Sequence, residues 1–150
     1  MDRVASSMDV AVVDLGTKHI TQYDYEHRNR LDDFEPLMEE VLLYDRIVFA
    51  SPVYWYACSP GMKIFLDRIS DYLDVPELQG KGRKLRGKTA YVVCTSVQED
   101  VSLSFIDAFR DTFSYLGMKF GGYLHANCVV GYEEQKYERD IEVFLSLLRN

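Results

Sequence analysis

The chain has 150 residues with 47% hydrophobic and 27% charged side chains, a length and balance that fit one domain with one core over residues 1–150. Its net charge of -7 repels polyanions, so nucleic acid is not an expected partner. Three widely spaced cysteines (Cys58, Cys94, Cys128) form no CxxC unit, which argues against a metal site, an iron–sulfur cluster or a disulfide framework.

Free thiols fit a reducing cytoplasm. No basic-then-apolar leader opens the sequence and no apolar run approaches ~20 residues, so a cytoplasmic protein without a membrane span is expected.

Met1 to Met8 reads as a helix tail or a frayed end. Asp9 to Leu15 reads as a short buried strand. Gly16 to Leu31 lacks a period and reads as a long loop, a functional candidate by its length alone. Phe34, Leu37, Met38, Val41 and Leu42 form one apolar helical face, with Asp33 as its cap and Pro36 in the first turn. Arg46 to Ala50 is apolar on both faces, as parallel strands are.

Ser59-Pro60 starts a second helix, with Ser as cap and Pro at the first helical position. Its expected core face is Met62, Phe65, Leu66, Ile69 and Leu73. Gln79 to Lys88 reads as a glycine-punctuated basic loop, and Thr89 to Thr95 as the third strand. A helix from about Ser102 to Leu116 buries Phe105, Phe109 and Phe113 and is closed by Gly117. A fourth strand lies within Lys119 to Val130, and a last helix spans roughly Glu133 to Arg149.

Strands alternating with amphipathic helices imply an α/β domain with a parallel sheet. Ligands of such sheets lie beyond the carboxyl ends of the strands. That places two loops at the expected site, Ser51 to Cys58 and Thr95 to Val101. The first carries three rings, Tyr54, Trp55 and Tyr56, behind Pro52, which stiffens the strand exit. Rings in a solvent-facing loop call for a cover. A flat isoalloxazine would supply one, and so would a neighbouring loop or a subunit contact.

Between about Asp9 and Asn127 the chain resembles the flavodoxin-like NAD(P)H-dependent FMN reductase and quinone reductase family. The residues that carry this are Asp24-Tyr25-Glu26-His27-Arg28-Asn29-Arg30 with Asp32-Asp33-Phe34, then Tyr44 to Tyr56 (ending Ser-Pro-Val-Tyr-Trp-Tyr), and Met62-Lys63-Ile64-Phe65-Leu66-Asp67-Arg68. Leu85-Arg86-Gly87-Lys88 and Tyr115-Leu116-Gly117-Met118 fit the same family.

The resemblance implies a three-layer α/β/α fold, FMN as cofactor and NAD(P)H as reductant. The ring-binding residues it implies are Pro52, Val53, Tyr54, Trp55 and Tyr56 on one side, and Thr95, Ser96, Val97 and Gln98 on another. It names no catalytic residue, because hydride transfer to flavin needs no protein nucleophile.

Family members open with a strand and a Ser/Thr/Gly/Asn-rich turn that binds the flavin phosphate at a helix N-terminus. This sequence shows no such turn, so a domain short of its first strand is expected, with FMN held weakly or not at all. Gly16-Thr17-Lys18 is the nearest substitute. The expected sheet has four parallel strands, with the strand at 9–15 closing the edge beside 46–51 and the last three adjacent in order. Glu99 and Asp100 add negative charge beside the second loop.

Lys81, Arg83, Lys84, Arg86 and Lys88 could meet a nicotinamide nucleotide phosphate or form a solvated loop, and Arg28 and Arg30 pose the same choice. His19, His27 and His125 lack metal-ligand spacing. Asp67 and Arg68 read as a helix-surface pair or a cap to the loop above.

The expected function is FMN-dependent electron transfer from NAD(P)H to a flavin, a quinone or a similar small-molecule acceptor, with a homodimer as one open assembly. The alternative is a non-catalytic remnant or partner-binding module.

Overall fold

The computed structural model describes residues 10–149. Three runs of apolar residues pair in it as parallel strands: β1 Arg46–Pro52, β2 Thr89–Ser96 and β3 Lys119–Asn127, in the order β1-β2-β3. Arg46 pairs with Thr89 and Pro52 with Thr95 in register. Thr89 pairs with Lys119 and Ser96 with Asn127, with one irregularity between Ala90 and Tyr91. Gly121 explains that shift. A Cβ there would stand 2.2 Å from the Tyr91 ring, so the bare backbone lets the ring cross β3 and reach the carbonyl of Leu147 at 3.0 Å.

The helices are α1 Phe34–Val41, α2 Pro60–Arg68, α3 Asp71–Asp74, α4 Pro76–Gly82, α5 Leu103–Tyr115 and α6 Glu138–Arg149. The period-two alternation of β2 divides the core. Ala90, Val92 and Cys94 point to a large cluster built with α1 to α5, including Phe34, Phe65, Phe105 and Phe113. Tyr91 packs on the other face with Ile141, Phe144, Leu145 and Leu148 of α6, and Val93 lies against that cluster. The result is a sheet between helical layers. Among the described residues no helix is long and apolar enough to cross a membrane.

Four sequence-based expectations are corrected. Three strands form among the described residues, where four were expected. Asp9 lies outside the described residues, and residues 10–14 form no strand. Val13, Leu15 and Ile20 bury their apolar surface against the large core, and the turn Leu15–Thr17 lies against α2. That segment is therefore satisfied without pairing to β1, and the outer edge of β1 has no strand partner among the described residues.

Gln79 to Lys88 is mainly helical, with α4 followed by a 3₁₀ turn at Arg83–Leu85. Pro76 opens α4 at its first turn. Gly82, read as a loop marker, instead serves a close contact, since a Cβ there would stand 2.5 Å from the carbonyl oxygen of Tyr72.

Asp33 holds the N-cap position of α1 as expected, but its side chain makes no capping bond there. Asp32 Oδ1 accepts from the N–H of Phe34 at 3.0 Å, while Asp33 Oδ2 accepts from the N–H of His19 at 2.7 Å. The helix that starts at Ser59-Pro60 ends at Arg68, which leaves Leu73 exposed rather than in its core face. Ser59 does cap it, accepting from the N–H of Met62 at 3.4 Å.

Candidate functional site at the carboxyl ends of the strands

The loop leaving β1 folds into a two-residue hairpin. Tyr54 N–H donates to Ala57 O at 2.8 Å, and Ala57 N–H donates back to Tyr54 O at 3.0 Å. The two tip residues, Trp55 and Tyr56, have φ of 48° and 66°. Positive φ at both positions defines a type I′ turn, which normally carries Asn-Gly. Two bulky residues there store strain of roughly 1–2 kcal/mol each.

The turn aims the rings outward. Trp55 is 96% exposed, Tyr54 55% and Tyr56 58%. Among the described residues no neighbouring loop covers them. At the hairpin base Ser51 Oγ accepts from Ser59 N–H at 2.9 Å and donates to Pro52 O at 2.8 Å.

The loop leaving β2 stands beside it. Val53 N–H donates to Thr95 O at 2.8 Å, extending the β1–β2 ladder past the strand ends. Beyond Thr95 the chain turns on Ser96. Gln98 N–H donates to Ser96 Oγ at 3.1 Å, and Ser96 Oγ lies 2.8 Å from His125 Nε2. Asn127 Nδ2 donates to Gln98 O at 2.8 Å, and Cys128 N–H donates to Ser96 O at 2.7 Å.

Thus the expected residues Pro52 to Tyr56 and Thr95 to Gln98 come together as adjoining walls. The residues missed by sequence reasoning are His125 and Asn127. Their role depends on the register of β3 against β2, which sets His125 opposite Cys94 and Asn127 opposite Ser96. Burial pushes the His125 imidazole below its usual range, partly opposed by the nearby Asp100 carboxylate.

The N–H groups of Trp55, Tyr56, Val97 and Glu99 have no hydrogen-bond partner among the described residues. They remain available to a ligand, beside exposed aromatic surface. These features fit a flat heteroaromatic ring with a polar edge.

The segment from Gly16 to Thr21 offers a phosphate no comparable cradle. The Gly16 N–H donates to Asp14 Oδ1 at 2.8 Å, Thr17 N–H to Asp14 O at 3.0 Å and Lys18 N–H to Leu15 O at 3.2 Å. His19 and Thr21 N–H groups donate to Asp33 and Asp32 at 2.7 and 2.9 Å. The expected substitute is therefore occupied by the chain's own acceptors, and the carboxylates of Asp14, Asp32 and Asp33 around it would also repel a phosphate.

The remaining candidates resolve into structural roles. Arg68 is fully buried and ties the long loop to α2 and α3. It donates to Asp71 at 2.7 Å, to Asp32 at 2.5 Å and to Thr21 O at 3.1 Å, which makes it the cap to the loop above. Asp67 instead pairs with Lys63 on the helix surface. His27 Nδ1 lies 2.9 Å from Asp71 Oδ1. Arg28 grips Asp24 through two donors at 2.8 and 2.9 Å, and Arg30 grips Glu35 at 2.6 Å, so neither is free for a nucleotide phosphate.

Lys81 pairs with Glu39, and Lys88 donates to the carbonyls of Leu42 and Tyr44 at 3.0 and 2.6 Å. Arg83 and Arg86 line a shallow cavity of about 280 Å³ with Tyr72, Gln79 and Tyr115. That cavity lies at the amino end of β2, about 23 Å of strand away from the aromatic loop. The basic run and the ring wall therefore sit at opposite poles.

A parallel sheet between helices, with an aromatic loop and a hydrogen-bonded turn at its carboxyl edge, defines a flavodoxin-like α/β protein. Residues 2–147 match the family model described as flavodoxin-like fold, and the chain belongs to that family. It is 32% identical over 95 residues to "Putative NAD(P)H-dependent FMN-containing oxidoreductase YwqN" of Bacillus subtilis (strain 168), covering 62% of this chain and 52% of that protein. It is 34% identical over 88 residues to "Uncharacterized NAD(P)H oxidoreductase YdeQ" of the same organism, covering 58% of this chain and 39% of that one.

The solved structure of Trp repressor binding protein from Bacillus subtilis is similar with a TM-score of 0.59 and 30% identity, covering 63% of this chain and 62% of that one. The chain spans about half the length, or less, of the curated relatives it matches.

Proposed function

We propose that this chain carries the ring-binding part of an FMN-dependent oxidoreductase that moves electrons from NAD(P)H to a small-molecule acceptor such as a flavin or a quinone. The observation that carries this reading is the strained hairpin, which displays Trp55 and Tyr56 beside the Thr95 to Gln98 wall. Such strain persists where the surrounding structure enforces it, and it clusters at ligand sites. The names of the Bacillus subtilis relatives support the same reaction class.

A flavin held between the Pro52 to Tyr56 and Thr95 to Gln98 walls would supply the redox chemistry. The protein's own part is to stack Tyr54, Trp55 and Tyr56 on the ring, to offer backbone donors to its polar edge and to exclude water. Three cysteines with free thiols accord with a cytoplasmic setting.

One observation favours the second reading, a flavin-impaired module. The backbone donors of Gly16, Thr17, Lys18, His19 and Thr21 are already committed, which supports a chain that takes the ring more readily than the phosphate. Hydrogen bonds to a charged group contribute ~1.5–3 kcal/mol each.

Titration separates the readings. Trp55 is the single tryptophan, so its quenching reports on this loop directly. Riboflavin and FMN are expected to bind within roughly tenfold of each other. Replacing Tyr54 and Trp55 by Ala should abolish binding, read in that variant by the fluorescence of the flavin itself because the tryptophan reporter is gone. No quenching by either flavin would sink the oxidoreductase reading in favour of the module. FMN bound about a hundredfold tighter than riboflavin would place a phosphate site outside Gly16 to Thr21.

A further inference from the structure

We infer that His125 is a positioning residue of the flavin-ring site, acting through Ser96: protonation of the imidazole reverses their hydrogen bond and presents the Ser96 hydroxyl proton to the ligand. The inference rests on the ring-binding reading above and adds a proton-linked control of it.

The argument is a count of donors and acceptors. A serine hydroxyl has one proton and two lone pairs. One lone pair of Ser96 Oγ accepts from Gln98 N–H at 3.1 Å. The nearest other partner is His125 Nε2, at 2.8 Å. The Gln98 carbonyl is the further one, at 3.4 Å, and it already accepts from Asn127 Nδ2 at 2.8 Å.

With the imidazole neutral, the best-satisfied arrangement has the proton on Nδ1. Ser96 then donates inward to Nε2, and its proton is unavailable to a ligand. Protonation puts a hydrogen on Nε2 as well, and Nε2 becomes the donor. Both lone pairs of Ser96 are then filled, and its proton needs a new acceptor. The carbonyl at 3.4 Å is a weak choice, since hydrogen bonds fade at that length. A ring carbonyl or ring nitrogen of a flavin at the Thr95 to Gln98 wall is a better one.

The charge is also a factor. Burial disfavours the cation on His125 in the free protein, while Asp100 favours it. A ligand that accepts from Ser96 therefore stabilises the protonated imidazole, and by linkage its own affinity rises as pH falls.

The test uses riboflavin, which carries no phosphate. Its affinity is measured by Trp55 quenching from about pH 8 to about pH 5 in the unaltered chain, in Ser96→Ala and in His125→Gln. The His125 imidazole is followed by proton NMR with and without riboflavin. The expected result is a roughly three- to tenfold gain in affinity toward acid in the unaltered chain, with an upward shift of the His125 titration when riboflavin is bound. Both variants should stay folded and bind with pH-independent affinity, Ser96→Ala more weakly and with lower stability, since Gln98 N–H loses its acceptor there.

Intact binding with pH-independent affinity in the unaltered chain overturns this inference alone. A pH slope retained in Ser96→Ala assigns the linkage to Glu99 or Asp100 and also overturns it. No riboflavin binding at any pH overturns the ring-site reading and this inference together.

Discussion

The backbone N–H of Val53, one step beyond the last paired residue of β1, donates to the carbonyl oxygen of Thr95 in β2 at 2.8 Å. This bond joins the aromatic hairpin to the turn built on Ser96. The two loops are thus tied to each other and to the sheet. A site assembled on rigid elements holds its geometry better than one on free loops. The consequences can be measured at the hairpin, at the buried arginine and at the core thiol.

Tyr56 sits at φ 66° in a turn that glycine would accept without strain. Tyr56→Gly is therefore expected to stabilise the fold by up to ~1 kcal/mol, after the extra entropy cost of glycine. Riboflavin affinity should fall in the same variant, because a ring of the wall is lost. Urea midpoints and Trp55 quenching give the two readings. A loss of stability greater than about 1 kcal/mol would show that the Tyr56 ring packs for the fold and not for a ligand.

Arg68 and its partners Asp32 and Asp71 are almost wholly buried, with side-chain exposures of 0%, 4% and 0%. Arg68→Met leaves two carboxylates buried without their cation, at an expected cost of about 3–5 kcal/mol. In the unaltered chain burial alone would raise the Asp32 pKa. Donation from Arg68 and from the Thr21 and Phe34 amides outweighs it and brings the value down to about 2. A depressed carboxylate stabilises the fold above its unfolded pKa and loses that contribution as pH falls through the folded one. Roughly 2 kcal/mol should therefore disappear between about pH 4 and pH 2. Chemical denaturation across that range is the check, and Arg68→Met should lack the Asp32 share of the slope.

Cys94 is 1% exposed in β2, and burial pushes its thiol up to about 12. The thiolate is the reactive form, so native Cys94 should resist alkylation near neutral pH. Cys58 and Cys128 are half-buried and should react first. The labelling rate of Cys94, resolved by mass spectrometry of peptides, should follow global unfolding as urea rises. Labelling of Cys94 as fast as the other two would mean that β2 opens locally.

Much of the fold was legible because its signals are local. The period of Phe34, Leu37, Met38 and Val41 marks α1, and Ser59-Pro60 marks the start of α2. The apolar runs mark β1 to β3, and Gly117 at φ 74° marks the stop after α5. The Pro52 to Tyr56 loop was legible for a different reason: three rings at a strand exit are out of place unless something uses them.

The misreadings share a cause. Gly82 looked like loop punctuation, yet its reason is the Tyr72 backbone packed against it. Val13 and Leu15 looked like strand, yet apolar surface buried against α2 satisfies the same composition. Arg68 was open between a helix-surface role and a cap to the loop above, and only the fold of the long loop over it decides for the cap and buries it fully. In each case the deciding neighbour is distant in sequence.

The sequence by itself determined the α/β alternation, the parallel character of the strands and the aromatic loop as the place to look. Those follow from period, capping and turn chemistry within about ten residues of chain. Only the tertiary structure decided which donors remain free. It spent the amides of Gly16, Thr17, His19 and Thr21 on Asp14, Asp32 and Asp33, left those of Trp55 and Val97 open, and set His125 behind Ser96. Hydrogen-bond supply depends on which groups meet in space, and that meeting is a property of register and packing that no local pattern encodes.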